Sequence, residues 1–283
     1  MIIVNMLPAE AERFRAHLPG LHDPLPPGAI GLEAKVDGVL AGTALVMAHP
    51  RSGTGSISVL HTVEAFRNIG VGSRLLQEAE RRLLESGCAQ ARITLTLRRK
   101  KPAPELDFLR KRGYKSEKLL YRTYTVRSTS IREEARLDKL HLPAEAELKP
   151  LLSASEAERA ELAVIAAHLP TDLNPFQEER LLHPEFSTLM KIGGQVAGWI
   201  GIQQLASNLL LLRSMYVRPE FALHAGGVAL FAEIDRQHGL LERFAHHMLN
   251  ILGDNEEMLR LAERKLAPHA SSVKSSIRLE KRL

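Results

Sequence analysis

The chain has 283 residues, 38 Lys and Arg against 33 Asp and Glu for a formal net charge of +5, and 45% apolar and 25% charged residues. That length favours two domains over one, a lone Cys88 excludes an internal disulfide or a multi-cysteine metal site, and no run of 18 apolar residues offers a transmembrane helix. The basic excess is too diffuse to specify nucleic acid, so neither a nucleic acid nor a membrane is an expected partner. A reduced thiol and an N-terminus without a basic leader or cleavage site fit a cytoplasmic protein.

In chain order, Ile2–Met6 reads as a strand and Ala9–His17 as a helix. Gly31–Val36 and Val39–Ala48 form a hairpin around Asp37-Gly38, a dipeptide suited to a two-residue turn. Ser56–Thr62 is the next strand. Ser73–Glu85 is a helix with Leu75, Leu76, Ala79, Leu83 and Leu84 on one face and Gly87 closing it. Ala91–Leu97 alternates as a strand, Pro104–Lys111 is a short helix ended by Gly113, and Lys118–Val126 is a last strand. The charged segment 127–147 contains a linker helix.

The same order then recurs. "AEAERFRAHLP" at 9–19 is echoed by "SEAERAELAVIAAHLP" at 155–170, "DGVLAGTALVM" at 37–47 by "GGQVAGWIGIQ" at 193–203, and "EAFRNIGVG" at 64–72 by "PEFALHAGG" at 219–227, with offsets of 155 or 156 for the last two. The second copy runs through Thr188–Ile192, Val196–Leu205, Leu209–Val217, Val228–Gln237, Arg243–Ile251, Glu256–Lys265 and Val273–Leu283. The fold class is therefore α+β (mixed α/β), with two similar domains, each a mixed, mostly antiparallel sheet flanked by helices. The domains are placed at 1–127 and 148–283, with a helical linker at 128–147.

The junction Arg67-Asn68-Ile69-Gly70-Val71-Gly72 carries the clearest chemistry. A strand that turns into a helix leaves the first helical N–H groups unpaired, and these with the helix dipole attract a phosphate. Gly70 and Gly72 allow close approach of the backbone, and Arg67 adds a charge-assisted bond. The same pattern also suits a plain tight turn with an exposed Arg.

"TVEAFRNIGVGSRLL" resembles the Arg/Gln-x-x-Gly-x-Gly/Ala signature of the GNAT N-acetyltransferase superfamily, and "LDFLRKRGYKSEKLLYRTYTV" at 106–126 is similar to the family's second signature, a short helix ending in Gly113-Tyr114 before a final strand. The resemblance covers roughly residues 1–126. It implies an acetyl-CoA site in which the pyrophosphate rests on Asn68, Ile69, Gly70, Val71, Gly72 and Ser73 beside Arg67. The fourth and fifth strands splay, and the pantetheine arm pairs with main chain at Leu60, His61 and Thr62. The implied reaction is direct attack of a primary amine, on a small molecule or a peptide, on the thioester of acetyl-CoA. A non-catalytic acyl-CoA-binding regulatory or scaffold protein is the alternative.

The sequence departs from the family where acid and base are expected. The position of the usual Tyr acid is Leu109, and that of a frequent Asn is Pro102. No carboxylate stands in "TGSISVLHT", which leaves His61 as the candidate base, while Tyr121 and Tyr124 are the candidate acids. "LRRKK" at 97–101 either meets an anion or is a solvated loop. His246-His247 point to opposite faces of a strand and lack a third ligand, so no metal site is expected. In the second copy Ala222 and Ala225 replace Arg67 and Gly70. That copy is read as having lost cofactor binding.

Overall fold

A computed structural model describes residues 2–7, 11–14, 25, 27–222 and 226–283. Its strands are β1 Ile2–Leu7, β2 Ala29–Val36, β3 Val39–His49, β4 Thr54–Thr62, β5 Gln90–Arg98, β6 Lys115–Arg127, β7 Ala146–Pro150, β8 Thr188–Ile192, β9 Gln195–Ala206, β10 Leu209–Val217, β11 His246–Leu252 and β12 Ala270–Arg282. The helices are α1 Val71–Glu85, α2 Pro104–Arg110, α3 Ser128–Ala135, α4 Glu156–Ala166, α5 Gly226–His238, α6 Leu240–Arg243 and α7 Glu256–Lys265. The class is the mixed α+β expected. Of the helix expected at 9–17, residues 11–14 form a short 3-10 turn that buries Phe14 against Leu45 and Val59; the rest lies outside the described residues. The strand expected at Arg243–Ile251 starts instead at His246, because the buried Leu240 and Leu241 hold residues 240–243 in a helical turn.

Two compact units divide the chain: residues 1–97, 102–118 and 276–283 in the first, and residues 98–101 and 119–275 in the second. In the first, the strands run β1-β2-β3-β4-β5, and the C-terminal end of β12 lies beside β5. The β2–β3 hairpin turns on Asp37 (φ 50°) and Gly38 (φ 84°), both left-handed as a two-residue turn requires. Helix α1 buries Val71, Leu75, Leu76, Ala79 and Leu83. It lies so close to the sheet that a Cβ on Gly55 would fall 2.1 Å from a Leu83 methyl. Residues 276–283 are integral to this unit. Ile277 and Leu279 are buried, Lys281 pairs with Glu80 at 2.7 Å, Arg92 pairs with Glu280 at 3.0 Å, and Leu283 N–H donates to Ala89 C=O.

In the second unit the order is β6-β11-β10-β9-β8-β7, with the N-terminal part of β12 beside β6. Strand β9 is buried over eight consecutive residues, Val196–Gln203. One cluster gathers Phe186, Ile200, Leu230 and Phe244, and another Trp199, Leu151, Leu162 and Leu189. The linker-helix segment contributes Ile131 and Leu137 to the first of these clusters. The apolar run of β10 buries Leu210 and Leu211. Helix α4 is closed by a capping box in which Ser155 and Glu158 exchange hydrogen bonds.

His247 is fully buried, with Nε2 3.1 Å from Ser128 Oγ, and burial pushes its pKa down from 6.5 to about 4. The folded protein holds it neutral, whereas the unfolded chain protonates it near pH 6.5. Its contribution is therefore complete above that pH and lost as pH falls toward 4. Urea unfolding should show a loss of about 2 kcal/mol between pH 7 and pH 5 from this group, and His247→Gln should flatten that slope. Leu279→Ala should destabilise the first unit by about 3 kcal/mol, as for a buried leucine elsewhere, read by the same titration.

Candidate functional site

The site of the first unit begins with a defect in pairing. Strand β4 sets Val59 opposite Leu45 and Ile57 opposite Val46, which leaves Ser58 as an extra, bulged residue. On its other edge β4 runs parallel to β5, but only Thr54, Gly55 and Ser56 pair with Gln90, Ala91 and Arg92. A bulge strengthens local twist, and here the two strands part just where it occurs. Leu60, His61 and Thr62 stay paired with Ala44, Thr43 and Gly42 of β3 on one edge. Their other edge is not used in pairing to β5, and an extended amide-bearing ligand can pair with such an edge. All three residues are half-buried.

The chain then climbs through a short turn into α1. Val63 N–H donates to Ala41 C=O at 2.9 Å, and Arg67 N–H to Glu64 C=O at 3.1 Å. Asn68 has φ 64° and Gly70 φ 95°, two left-handed residues around an exposed Ile69. Asn tolerates that region and glycine enters it freely, and closely spaced left-handed residues turn successive N–H groups toward one point. The first backbone bond of α1 runs from Arg74 N–H to Gly70 C=O at 3.1 Å. The N–H groups of Gly70, Val71, Gly72 and Ser73 therefore have no partner within the helix.

Nothing else in the helix covers them. α1 has no side-chain cap and no acidic residue in its first turn. By contrast, α4 is capped by Ser155 and α7 by Asn255, each with two carboxylates in its first turn. An uncapped N-terminus with positive partial charge is suited to an anion. Two guanidinium groups flank it. Arg67 Nε sits 3.5 Å from Thr62 C=O. Arg112 donates to Ser73 Oγ and, at 2.9 Å, to Phe108 C=O, with its guanidinium carbon 3.6 Å from the centre of the Phe108 ring. A Cβ on Gly72 would lie 3.2 Å from Thr62 Oγ1 and 3.5 Å from Phe108, so the strand end, the helix start and Phe108 converge here. Sequence reasoning missed Arg112. The available signal was the spacing of four between Phe108, in α2, and Arg112, in the turn just after it.

The candidate acid and base groups are distributed as follows. His61 stands on β4 beside the loop, in register with Thr43. Leu109, at the usual Tyr position, is 2% exposed and belongs to the core. Tyr114 is also buried, and burial together with the Glu80 carboxylate pushes its pKa well up. Tyr121 and Tyr124 belong to the second unit, on β6 opposite Leu252 and Leu249. Tyr121 is 38% exposed. Tyr124 is fully buried and donates to Glu263 Oε1 at 2.8 Å; burial and that carboxylate raise its pKa. Among the described residues no three His, Cys, Asp or Glu gather as a metal site, and no helix is long and apolar enough to cross a membrane.

The second unit repeats the geometry and fills it differently. Strand β10 sets Leu212 opposite Ile202 and Ser214 opposite Gly201, which leaves Arg213 bulged, 155 positions after Ser58. Its parallel pairing with β11 ends at Leu212 and Leu249. Past that point the chain's own Asp172 bridges the two strands. Its carboxylate accepts from Leu252 N–H at 3.3 Å and its C=O accepts from Arg213 Nη1 at 3.4 Å. Arg213 also pairs with Glu178 at 2.9 Å. Ala222, in place of Arg67, is exposed, and Ala225 lies outside the described residues.

Residues 5–114 match the model of the acetyltransferase (GNAT) family. No curated protein matches the chain by sequence. Among solved structures, the chain is similar to a tandem GNAT protein from the clavulanic acid biosynthesis pathway at 14% identity, with 99% of this chain and 98% of that one covered and a TM-score of 0.61. A GCN5-related N-acetyltransferase from Sphaerobacter thermophilus is similar at 19% identity over 97% of this chain and 86% of that one, with a TM-score of 0.56. The family match is thus to residues 5–114, and the chain as a whole shares its fold with the tandem GNAT protein.

Proposed function

We propose that the protein is an acetyl-CoA-dependent N-acetyltransferase whose first unit binds the thioester and passes its acetyl group to a primary amine. The observation that carries this reading is the uncapped start of α1, flanked by Arg67 and Arg112 and set beside the parted end of β4. The match of residues 5–114 to the GNAT family model supports it, since GNAT proteins use acetyl-CoA. The anion of the pyrophosphate meets the free N–H groups of residues 70–73, and the pantetheine amides meet the open edge at Leu60–Thr62. In the transfer, the amine nitrogen attacks the carbonyl carbon, the C–S bond breaks, and the thiolate leaves. His61 accepts the proton that the amine loses, and the thiolate takes one from solvent. The chain's main contribution is to hold the reactants in line. Cys88, buried and donating to Thr54 C=O, stays a structural thiol, which suits a cytoplasmic location.

Leu109 in the core, where a Tyr acid is usual, favours a second reading, a binding protein without turnover. A thiol-release assay with a broad panel of amines separates the two. Turnover supports the enzyme; tight acetyl-CoA binding without turnover on any amine supports the binding protein.

Calorimetry should find one acetyl-CoA per chain, because Asp172 bridges the strands of the second unit where the first is open. Arg67→Ala and Arg112→Ala should each weaken that binding by about 1–3 kcal/mol, the scale of a charge-assisted bond. Unchanged affinity in both variants, or two equivalent sites, contradicts the assignment. His61→Ala should lower kcat by roughly 10²-fold with little effect on affinity; a near wild-type rate from pH 6 to 9 removes His61 from the mechanism.

A further inference from the structure

The second unit contains a cavity of about 520 Å³ lined by the turn at 98–101, by Glu263, and by residues 267, 268 and 270–273. That volume is within the range of small-molecule pockets, roughly 300–1,000 Å³. The turn brings four consecutive cations to the lining, Arg98, Arg99, Lys100 and Lys101. It is a formed turn: Arg99 N–H donates to Val273 C=O at 2.9 Å, Lys101 N–H to Arg98 C=O at 3.2 Å, and Lys100 has φ 58°. Glu263 is the one carboxylate among the lining residues, and its oxygens are already engaged. It accepts from Arg99 at 2.9 Å, from Arg122 at 2.7 Å and from the Tyr124 hydroxyl at 2.8 Å.

Arg98, Lys100 and Lys101 have no carboxylate within ion-pair distance among the described residues. A basic turn on an open surface needs only water. Here the cations share the lining of a cavity with Ser271, whose hydroxyl donates to Thr125 C=O at 3.1 Å, and with Ser272. Three uncompensated cations and the Ser272 hydroxyl match a ligand with at least two negative charges and several acceptor oxygens.

We propose that this cavity is a binding site for a small phosphorylated molecule, with Arg98, Lys100 and Lys101 meeting the phosphate oxygens. The site shares no residue with the α1 loop and does not depend on the acetyltransferase reading.

The probe is inorganic pyrophosphate, titrated calorimetrically at low salt into the full chain saturated with acetyl-CoA. The expected result is one binding event that survives saturation. A Lys100→Ala, Lys101→Ala double variant should weaken it at least tenfold, and Lys100→Arg with Lys101→Arg should retain it within about threefold. Arg67→Ala should leave it unchanged, and all variants should melt with the wild type, since these side chains are exposed. Loss of the event on acetyl-CoA saturation, wild-type affinity in the double alanine variant, or an equal loss in Arg67→Ala overturns the proposal.

Discussion

The parting of β4 from β5 after Ser56 and Arg92 is the constraint on which the site depends. A continuous parallel pair would consume the backbone groups of Leu60, His61 and Thr62 and bury them in a sheet. The bulge at Ser58 prevents this by adding one residue that β3 cannot match. The same strand then delivers the chain, through Val63 and a short turn, to a helix whose first N–H groups are left without a cap. Edge and helix end are thus adjacent because one strand feeds both. That order, an open edge and then an uncapped helix end, is what the proposed placement of acetyl-CoA rests on.

The two copies show how little is needed to change such a site. The bulges at Ser58 and Arg213 occupy equivalent positions, and both parallel pairings stop nearby. In the second unit the bulged residue is a cation that binds the protein itself, to Asp172 C=O and the Glu178 carboxylate. Asp172 also takes the N–H of Leu252. Buried polar groups must find partners, and an opening that no ligand fills is stabilised when the chain supplies them. The second copy has Ala222 and Ala225 in sequence where the first has Arg67 and Gly70, and it is the copy that carries this internal bridge.

Charge is handled differently in the two places where cations gather. At the α1 loop, Arg112 is oriented by Phe108 and Ser73, so its guanidinium is held rather than free to solvate. At the turn over residues 98–101 the backbone is held and most of the side chains are not. A fixed fork reads one geometry, whereas long flexible cations on a formed turn accommodate anions of several shapes.

Much was legible from the residues alone because it is encoded locally. Asp37-Gly38 dictates its turn, the apolar stripe of α1 its buried face, and Gly70 a left-handed helix start, each through backbone sterics or the 3.6-residue period. The repeat was visible because both copies keep these local signals in order. Only the tertiary structure decided which neighbour each strand takes. Alternation marks residues 273–283 as a strand, but backbone hydrogen bonds are alike for every partner, and nothing in Ile277 or Leu279 names β5 as the neighbour. Arg112 was missed for the same reason: its role comes from docking against Ser73, 39 residues away, rather than from its own surroundings in sequence. Asp172 reads as an ordinary turn residue until folding carries it between Leu252 and Arg213. The sequence by itself determined most of the elements, the left-handed turn into α1 and the internal repeat. Folding decided which cleft stays open, because long-range backbone pairing and side-chain docking leave no local pattern to read.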